Sequence, residues 1–426
     1  MKKILAILLA LVMVLSFAAC GGNNGNQEEK PAGEETLKEL VAIEKASPIN
    51  LDANTDYSKV KIGFIFLHDP AASTYDNNFY QAALNVQKEL GLSDDQVMFK
   101  WNIPEEGSDC LDTAAEMVDA GCNIIFADSF GHESNMKLAA EKFPEVQFCH
   151  ATGTQAIVAG LKNYHNAFAS IYEGRYLAGI AAGMKLNEMI EAGKFTAEEA
   201  KMGYVGAWPY AEVKSGYTSF YLGAKSVCPT VTMDVVFTNS WFDIALEKDA
   251  ALKLINSGCK LISQHADSEG APKACEEKGV PNVAYNISTI DLGPNTAIIS
   301  SKINWEPYYK LIISSVAAGK EIPADWCGTM ETGSVELTEL NEKVAAEGTQ
   351  EAIDAAKAKL IEGELKVYDI KNFTVEGKAL ESYAADVLDE GDYKGETNVI
   401  VDGCFNESVG RSAPYFDVAV DGITLK

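Results

Sequence analysis

The chain reads as an α/β protein of two lobes, each a parallel sheet flanked by helices, with a hinge between them. Three observations predict this. Short apolar runs alternate with amphipathic helical stretches from Val60 onward. The alternation starts afresh near residue 200, giving two βαβ arrays of similar size with no long flexible linker between them. At 47 % hydrophobic residues, 426 residues supply enough material for two cores.

Residues Met1 to Cys20, MKKILAILLALVMVLSFAAC, come first. Two lysines, an apolar run from Ile4 to Leu15 and the small residues Ala18 and Ala19 form the pattern of an export signal. The run falls short of the roughly 20 residues that span a bilayer. Cys20 at the cut point resembles a bacterial lipobox cysteine, the site of acylation, so residues 1–19 are expected to be removed and the chain anchored at Cys20 outside the cell membrane. Residues 20–58 are expected to tether the domain, because Gly21 to Glu35 is rich in Gly, Asn, Glu and Pro and cannot build a core. Removing the leader, with Lys2 and Lys3, takes the formal charge from −27 to −29. So acidic a body has no electrostatic attraction for nucleic acid or anionic lipid.

The first lobe is expected over 59–160. Its strands are VKIGFIF from Val60, QVMFKW from Gln96, NIIFADS from Asn123 and VQFCHAT from Val146. In the helix between the first two, Phe79, Ala83, Val86 and Leu90 share a face, with Asp76 placed to cap its start and Gly91 to end it. The second lobe is expected over 161–285, with a long helix over Ala169–Ala192 and strands KMGYVGAW, TVTMDVVFTN, KLISQHAD and NVAYNIS. The strand NTAIISSKI and the helix after Trp305 suggest a return to the first lobe over 286–336. Residues 337–426 read as an acidic extension packing on the lobes, with one strong helix over LNEKVAAEGTQEAIDAAKAKLIEG and a strand-turn around KVYDIKNFTVEG. The nine cysteines include no CxxC and no Cys/His cluster with metal spacing. Cys122, Cys149 and Cys259 sit in apolar patterns and read as buried free thiols, while the even count apart from Cys20 permits disulfides that the sequence does not pair; no metal site and no cofactor are expected.

In open parallel sheets the ligand site lies past the carboxyl ends of the strands. There the chain places His68, Asp69 and the loop to Tyr75, Asp76 and Phe79, then Asp128, Ser129 and Phe130. The second array places Trp208, then Trp241, Phe242 and Asp243, then Gln264, His265 and Asp267. Aromatic faces beside a few directional polar groups suit a planar, heteroatom-bearing ligand. Each residue also has a plainer reading. Trp208, Trp241 and Phe79 suit core packing, and Asp76, Asp243 and Asp267 each precede a helix they could cap. No GxSxG elbow, Walker loop or GxGxxG fingerprint is present, so nothing points to an enzyme.

Taken in order, several segments resemble the basic membrane protein (Bmp, PnrA-like, Med) lipoproteins, substrate-binding proteins of ABC importers for purine nucleosides or nucleobases. They are Asp76-Asn77-Asn78-Phe79-Tyr80, Asp128-Ser129-Phe130, Glu173-Gly174-Arg175-Tyr176-Leu177-Ala178-Gly179, Lys201-Met202-Gly203-Tyr204-Val205-Gly206-Ala207, Trp241-Phe242-Asp243 and Ser300-Ser301-Lys302. The resemblance covers roughly Lys59 to Gly377. It implies a periplasmic-binding-protein type I fold, closure of two lobes on a purine held between aromatic rings, and a membrane permease as partner. It also implies a monomer held to the membrane by its lipid. Phe79 matches the first ring, and the second comes from Trp241 or Phe242. Asp128 and Lys302 match cleft polar positions. Tyr80 stands where the family has Asn. Where nucleoside binders carry an Asp-x-Asp-like pair, this chain has Asn286-Ile287-Ser288-Thr289. Its Gln264-His265-Ala266-Asp267 resembles a QHTD-type subgroup suited to a bare nucleobase such as adenine or hypoxanthine. A binder of sugars, amino acids or a signal molecule is the first alternative, and a nucleoside-cleaving enzyme with His265 and Asp267 as acid and base is the second.

Overall fold

The computed structural model describes residues 37–391 and 393–426. The expected leader, the acylation site Cys20 and the first part of the tether lie outside these residues. The chain runs β1 (Ile62–Ile65), α1 (Thr74–Leu90), β2 (Val97–Lys100), α2 (Asp109–Asp119), β3 (Ile124–Ala127), α3 (Glu133–Lys142), β4 (Gln147–Ala151) and β5 (Tyr164–Ala169). It continues through α4 (Ile171–Glu191), β6 (Lys201–Gly206), α5 (Ala211–Val227), β7 (Thr232–Phe237), α6 (Ile244–Asn256), β8 (Leu261–His265), α7 (Gly270–Lys278), β9 (Asn282–Tyr285) and β10 (Ala297–Ile303). Then follow α8 (Glu306–Ala318), β11 (Asp325–Gly328), β12 (Val335–Leu337), α9 (Thr349–Ile361) and β13 (Ile423–Leu425).

Two sheets result. The first has the order β11-β5-β4-β3-β1-β2, and every pairing in it is parallel. The second has the order β12-β10-β9-β8-β6-β7-β13 and is parallel except where β12 meets β10. Strands such as β1 and β3 are buried at every position, which is why they read as unbroken apolar runs. The chain passes between the sheets at Ser170, at Asn304–Trp305 and again between Gly328 and Val335. Asn78 ties α1 to the second crossing, its Nδ2 donating to the Ile303 carbonyl at 2.7 Å.

Several expectations need correction. Tyr164–Ala169 pairs with β4 in the first sheet, so the second lobe does not begin at 161. NTAIISSKI supplies β10 of the second sheet, and the return to the first lobe is made by α8 and β11 instead. All these strands are doubly buried, so their sequences carry no mark of which sheet they join. The tether is shorter than expected. Lys38–Glu39 pairs with Thr397–Asn398, Ile43 donates to the Val409 carbonyl at 2.9 Å, and Leu40 and Ala46 find apolar cover. Helix α1 is capped by Ser73, whose hydroxyl accepts from the Asp76 amide, while Gly91 ends it at φ 67° as expected. The helix expected from Leu340 is confined to Thr349–Ile361, because Gly348 sits at φ 76° and breaks the run. Around KVYDIKNFTVEG only single bridges form.

The last segment packs on both lobes. Ser412 donates from its amide to Asp325 in the first lobe at 2.7 Å, and β13 adds to the edge of the second sheet. Glu407, buried, accepts from Ser215 of α5. All eight described cysteines are unpaired, seven of them buried, and burial pushes the thiols of Cys110, Cys149 and Cys327 up to about 12.

Helices α4 and α5 touch through glycines. A Cβ on Gly223 would lie 2.0 Å from the Tyr176 carbonyl oxygen, and one on Gly179 would lie 2.1 Å from that of Phe220. Gly223→Ala is therefore expected to destabilise the protein by about 1–3 kcal/mol, read as a lowered Tm; an unchanged Tm would show that the helix pair can spread at no cost.

Burial, together with the nearby charges of Glu212 and Glu173, pushes the Glu407 carboxyl up to about 7. A carboxyl raised in the folded state stabilises the fold below its unfolded value near 4.5 and loses that contribution as pH climbs through about 7. Glu407→Gln should thus gain stability relative to the native chain at pH 8, by up to about 3 kcal/mol, with the gain fading by pH 5. Urea unfolding at both pH values checks this, and an equal difference at each would contradict it.

Candidate functional site

Each sheet winds away in both directions from its first strand, so the strand order reverses between β1 and β3 and again between β6 and β8. Such switch points leave a crevice past the carboxyl ends of the strands. Here the two crevices form one enclosed space. Leu67, His68, Tyr75, Asp76, Ser129, Phe130 and Thr152 line it from the first lobe. Glu212, Trp241, His265, Asp267 and Tyr285 line it from the second. The lobes meet beside it, where Thr74 donates through its amide at 3.0 Å and through Oγ1 at 2.9 Å to the carbonyl of Asp267. The space measures about 20 Å³, and it shares Phe130 and Trp241 with two larger cavities of about 650 and 550 Å³.

Polar groups at the strand ends hold one another in place. Asp76 accepts from the His68 amide at 2.8 Å through Oδ1, and its Oδ2 has no partner. Behind it Asp128, fully buried, accepts from the Leu67 amide at 3.1 Å, and its carbonyl receives the Tyr75 hydroxyl at 2.8 Å. Burial and then the neighbouring Asp76 charge push the Asp128 carboxyl well above the usual carboxylate range. Ser129 donates to Glu105 at 2.5 Å.

The second lobe mirrors this crowding. Burial, then repulsion from Glu247, Asp76 and Glu212, raises the Asp267 carboxyl well above its ordinary value. Asn286 Nδ2 lies 3.4 Å from its Oδ1. Both Glu247 carboxylate oxygens accept from the Ser268 amide at 3.2 Å and so hold the loop that carries Asp267. Burial, and then the Arg175 charge, depress the His265 imidazole to about 4. It is therefore neutral near pH 7. Its Nε2 donates to Glu212 at 3.2 Å, leaving Nδ1 as an acceptor. Arg175 is itself buried, its guanidinium 3.7 Å from the centre of the Tyr285 ring, and it donates to the Gln264 carbonyl at 2.7 Å.

Of the residues expected from sequence, Asp76, Ser129, Trp241, His265 and Asp267 share the enclosed space. Trp208 and Phe242 line the adjoining cavity with Trp241 and His68. There Trp208 stacks on Tyr210 at 5.8 Å, and Phe242 sits 5.2 Å from the His68 ring. Asp128 and Asn286 stand behind the lining. Gln264 turns away, its Nε2 donating to the carbonyls of Ala266 and Ser268 at 3.0 Å, where it shapes the Asp267 loop. Asp243 proves to be the cap of α6, accepting from the Ala245 and Leu246 amides. Three expectations are corrected. Phe79 lies wholly in the first-lobe core, stacked on Trp305 at 4.3 Å, because one helical turn beyond Tyr75 the side chain points at α8 rather than at the crevice. Tyr80 packs edge-on against Phe66 and Phe99. Lys302 pairs with Glu336 at 3.5 Å across β10 and β12 and reaches no cavity described here. Sequence reasoning gave no role to Tyr75, though it precedes Asp76 directly. It also missed Thr152, Glu212 and Tyr285, which end a strand or open a helix beside residues it did name. Among the described residues no cluster of His, Cys, Asp or Glu could hold a metal ion.

Residues 59–371 match the family described as ABC transporter substrate-binding protein, PnrA-like (Bmp). The chain belongs to this family. A purine-binding protein of Brucella abortus is 31 % identical over 73 % of this chain and 85 % of its own. A Haloferax volcanii protein named as an ABC transporter glucose-binding protein is 30 % identical over 72 % of this chain and 71 % of its own. A solute-binding protein of Aeropyrum pernix shares the fold at TM-score 0.60 and 16 % identity, over 72 % of this chain and 92 % of its own. One from Conexibacter woesei does so at 0.58 and 19 %, over 72 % and 98 %. The fold is thus that of the type I periplasmic solute-binding proteins. Members of this Bmp family are extracytoplasmic binding components that work with a permease on small molecules, and they are not enzymes. Among the described residues no helix is long and apolar enough to cross a membrane.

The Thr74 latch yields a test. Thr74→Val removes the Oγ1 bond and leaves the amide bond, so affinity for the ligand the native protein binds should fall about fivefold, roughly 1 kcal/mol. Calorimetry reads this, and unchanged affinity would mean that the contact adds nothing to closure.

Proposed function

We propose that this protein captures a purine nucleobase between its lobes and delivers it to an ABC importer. The observation that carries the reading is the pairing of Tyr75 from the first lobe with Trp241 from the second in one enclosed space, flanked by the carboxyl groups of Asp76 and Asp267. The purine-binding relative from Brucella abortus supports it. Each ring face stacked on the base contributes about 1–3 kcal/mol. The Asp76 carboxylate, which lines the space, accepts from a ring N–H or exocyclic amine. Asp267, its carboxyl raised well above the ordinary value by burial, meets the polar edge of the base. A base with the wrong edge leaves one of these groups unpaired at a cost of about 1–3 kcal/mol, which is the source of selectivity. Because the enclosed space is narrow, the lobes part at the three crossings to admit the ring and close over it. The closed form then meets the permease. In the same reading the protein acts as a monomer, anchored at the outer membrane face through lipid on Cys20.

The relative named for glucose favours a second reading, because carboxyl groups beside tryptophan also suit a sugar. A thermal-shift panel of purines, nucleosides, sugars and amino acids separates the two. Adenine or hypoxanthine should raise Tm by several degrees, and Trp241→Ala should abolish most of the shift while leaving the ligand-free Tm near that of the native protein. Stabilisation by sugars with none by purines would overturn the proposal.

A further inference from the structure

Helix α4 starts at the crossing after Ser170, and one turn in it carries Arg175, which is 1 % exposed. The residues that follow it, Tyr176 to Gly183, are buried as well. Nη1 donates to the Gln264 carbonyl at 2.7 Å, while Nε and Nη2 have no hydrogen-bond partner among the described residues. A buried cation so sparsely answered costs a fold more than an apolar side chain of similar volume. Folding alone gives no reason for an arginine here.

What Arg175 touches supplies one. The pairing of β8 with β9 runs only from Ile262–Asn282 to Ser263–Val283. Gln264 and Tyr285 lie past that last paired position, and Arg175 bridges them. It holds the Gln264 carbonyl through Nη1 and places its guanidinium 3.7 Å from the centre of the Tyr285 ring. The residues that end the two strands, His265 and Tyr285, stand edge to face at 5.0 Å and both line the ligand space, whereas Arg175 does not.

We infer that Arg175 is a positioning residue for ligand binding, fixing Tyr285 and His265 from behind the second-lobe wall so that both rings meet the ligand in one geometry. The inference rests on the purine reading above and adds to it a residue outside the ligand space. A binding wall has to be held to within about 0.5 Å of its productive geometry. The guanidinium does this in two directions, because its face stacks on Tyr285 while its edge donates to Gln264. A lysine ammonium has no flat face and cannot do both. The Arg175 charge also adds to burial in keeping the His265 imidazole neutral.

Hydrogen–deuterium exchange and calorimetry on the whole protein, native and Arg175→Lys, test this. The lysine keeps the charge and loses the stack and the fork. In the ligand-free variant, exchange should speed up in peptides covering residues 264–268 and 284–288 and keep its native rate elsewhere in the second lobe. Adenine affinity should fall about tenfold. Faster exchange across the whole second lobe would make Arg175 a support of the core alone. Native exchange at both strand ends, or native adenine affinity, would show that the wall does not need it. Each of these overturns the inference and leaves the nucleobase reading standing. If Arg175→Lys does not fold, Arg175→Met is held to the same comparison, and failure of both to fold overturns the inference too. If the native protein does not bind adenine, the purine reading falls, and the exchange measurement by itself decides whether Arg175 holds the two strand ends.

Discussion

Two hydrogen bonds from Thr74 to a single carbonyl oxygen, that of Asp267, fix how everything else in the molecule meets. Thr74 opens α1 just past the end of β1, and Asp267 follows the end of β8. The latch therefore joins the two lobes where each sheet reverses its strand order. The side chains that line the enclosed space stand on strand ends, on the loops past them or on the first turns of α1 and α5. That placement explains why a crevice with so many polar residues can be held rigidly: its walls are continuations of doubly buried strands.

The price of such a site is carboxyl crowding. Asp76, Asp128, Asp267, Glu212 and Glu247 lie close enough to influence one another, and burial removes the water that would screen them. Burial and mutual repulsion raise the carboxyls of Asp128 and Asp267 well above the ordinary range, and backbone amides serve others of the cluster, as His68 does for Asp76 and Ser268 for Glu247. Arg175 sits behind this cluster on the Tyr285 ring; burial first, and its charge second, keep His265 neutral, so the imidazole presents an acceptor instead of adding a second cation. A ligand offering N–H donors relieves this crowding, whereas an anion aggravates it.

Much of this was legible in the sequence. Doubly buried strands such as Ile62–Ile65 announced parallel sheets, and strand-end residues such as Asp76, Trp241 and Asp267 were found by their address alone. What escaped has physical causes. A buried parallel strand looks the same in either sheet, so β5 and β10 were placed in the wrong lobe. Ser73 and Asp76 both suit a helix start, and only the His68 amide decides that Asp76 turns its carboxylate elsewhere. Tyr75 and Phe79 are one helical turn apart and equally aromatic, and packing on Trp305 and Phe126 takes Phe79 into the core. The C-terminal segment has no periodicity to read, because side-chain bonds to backbone, such as those of Arg411, hold it in place of regular structure.

The most direct measurement is a crystal structure of the protein grown with adenine. Electron density for a flat bicyclic ring is expected between Tyr75 and Trp241, with its polar edge toward Asp76 and Asp267. Density outside that crevice, or an empty crevice at saturating adenine, would contradict the idea that the two lobes exist to enclose a purine.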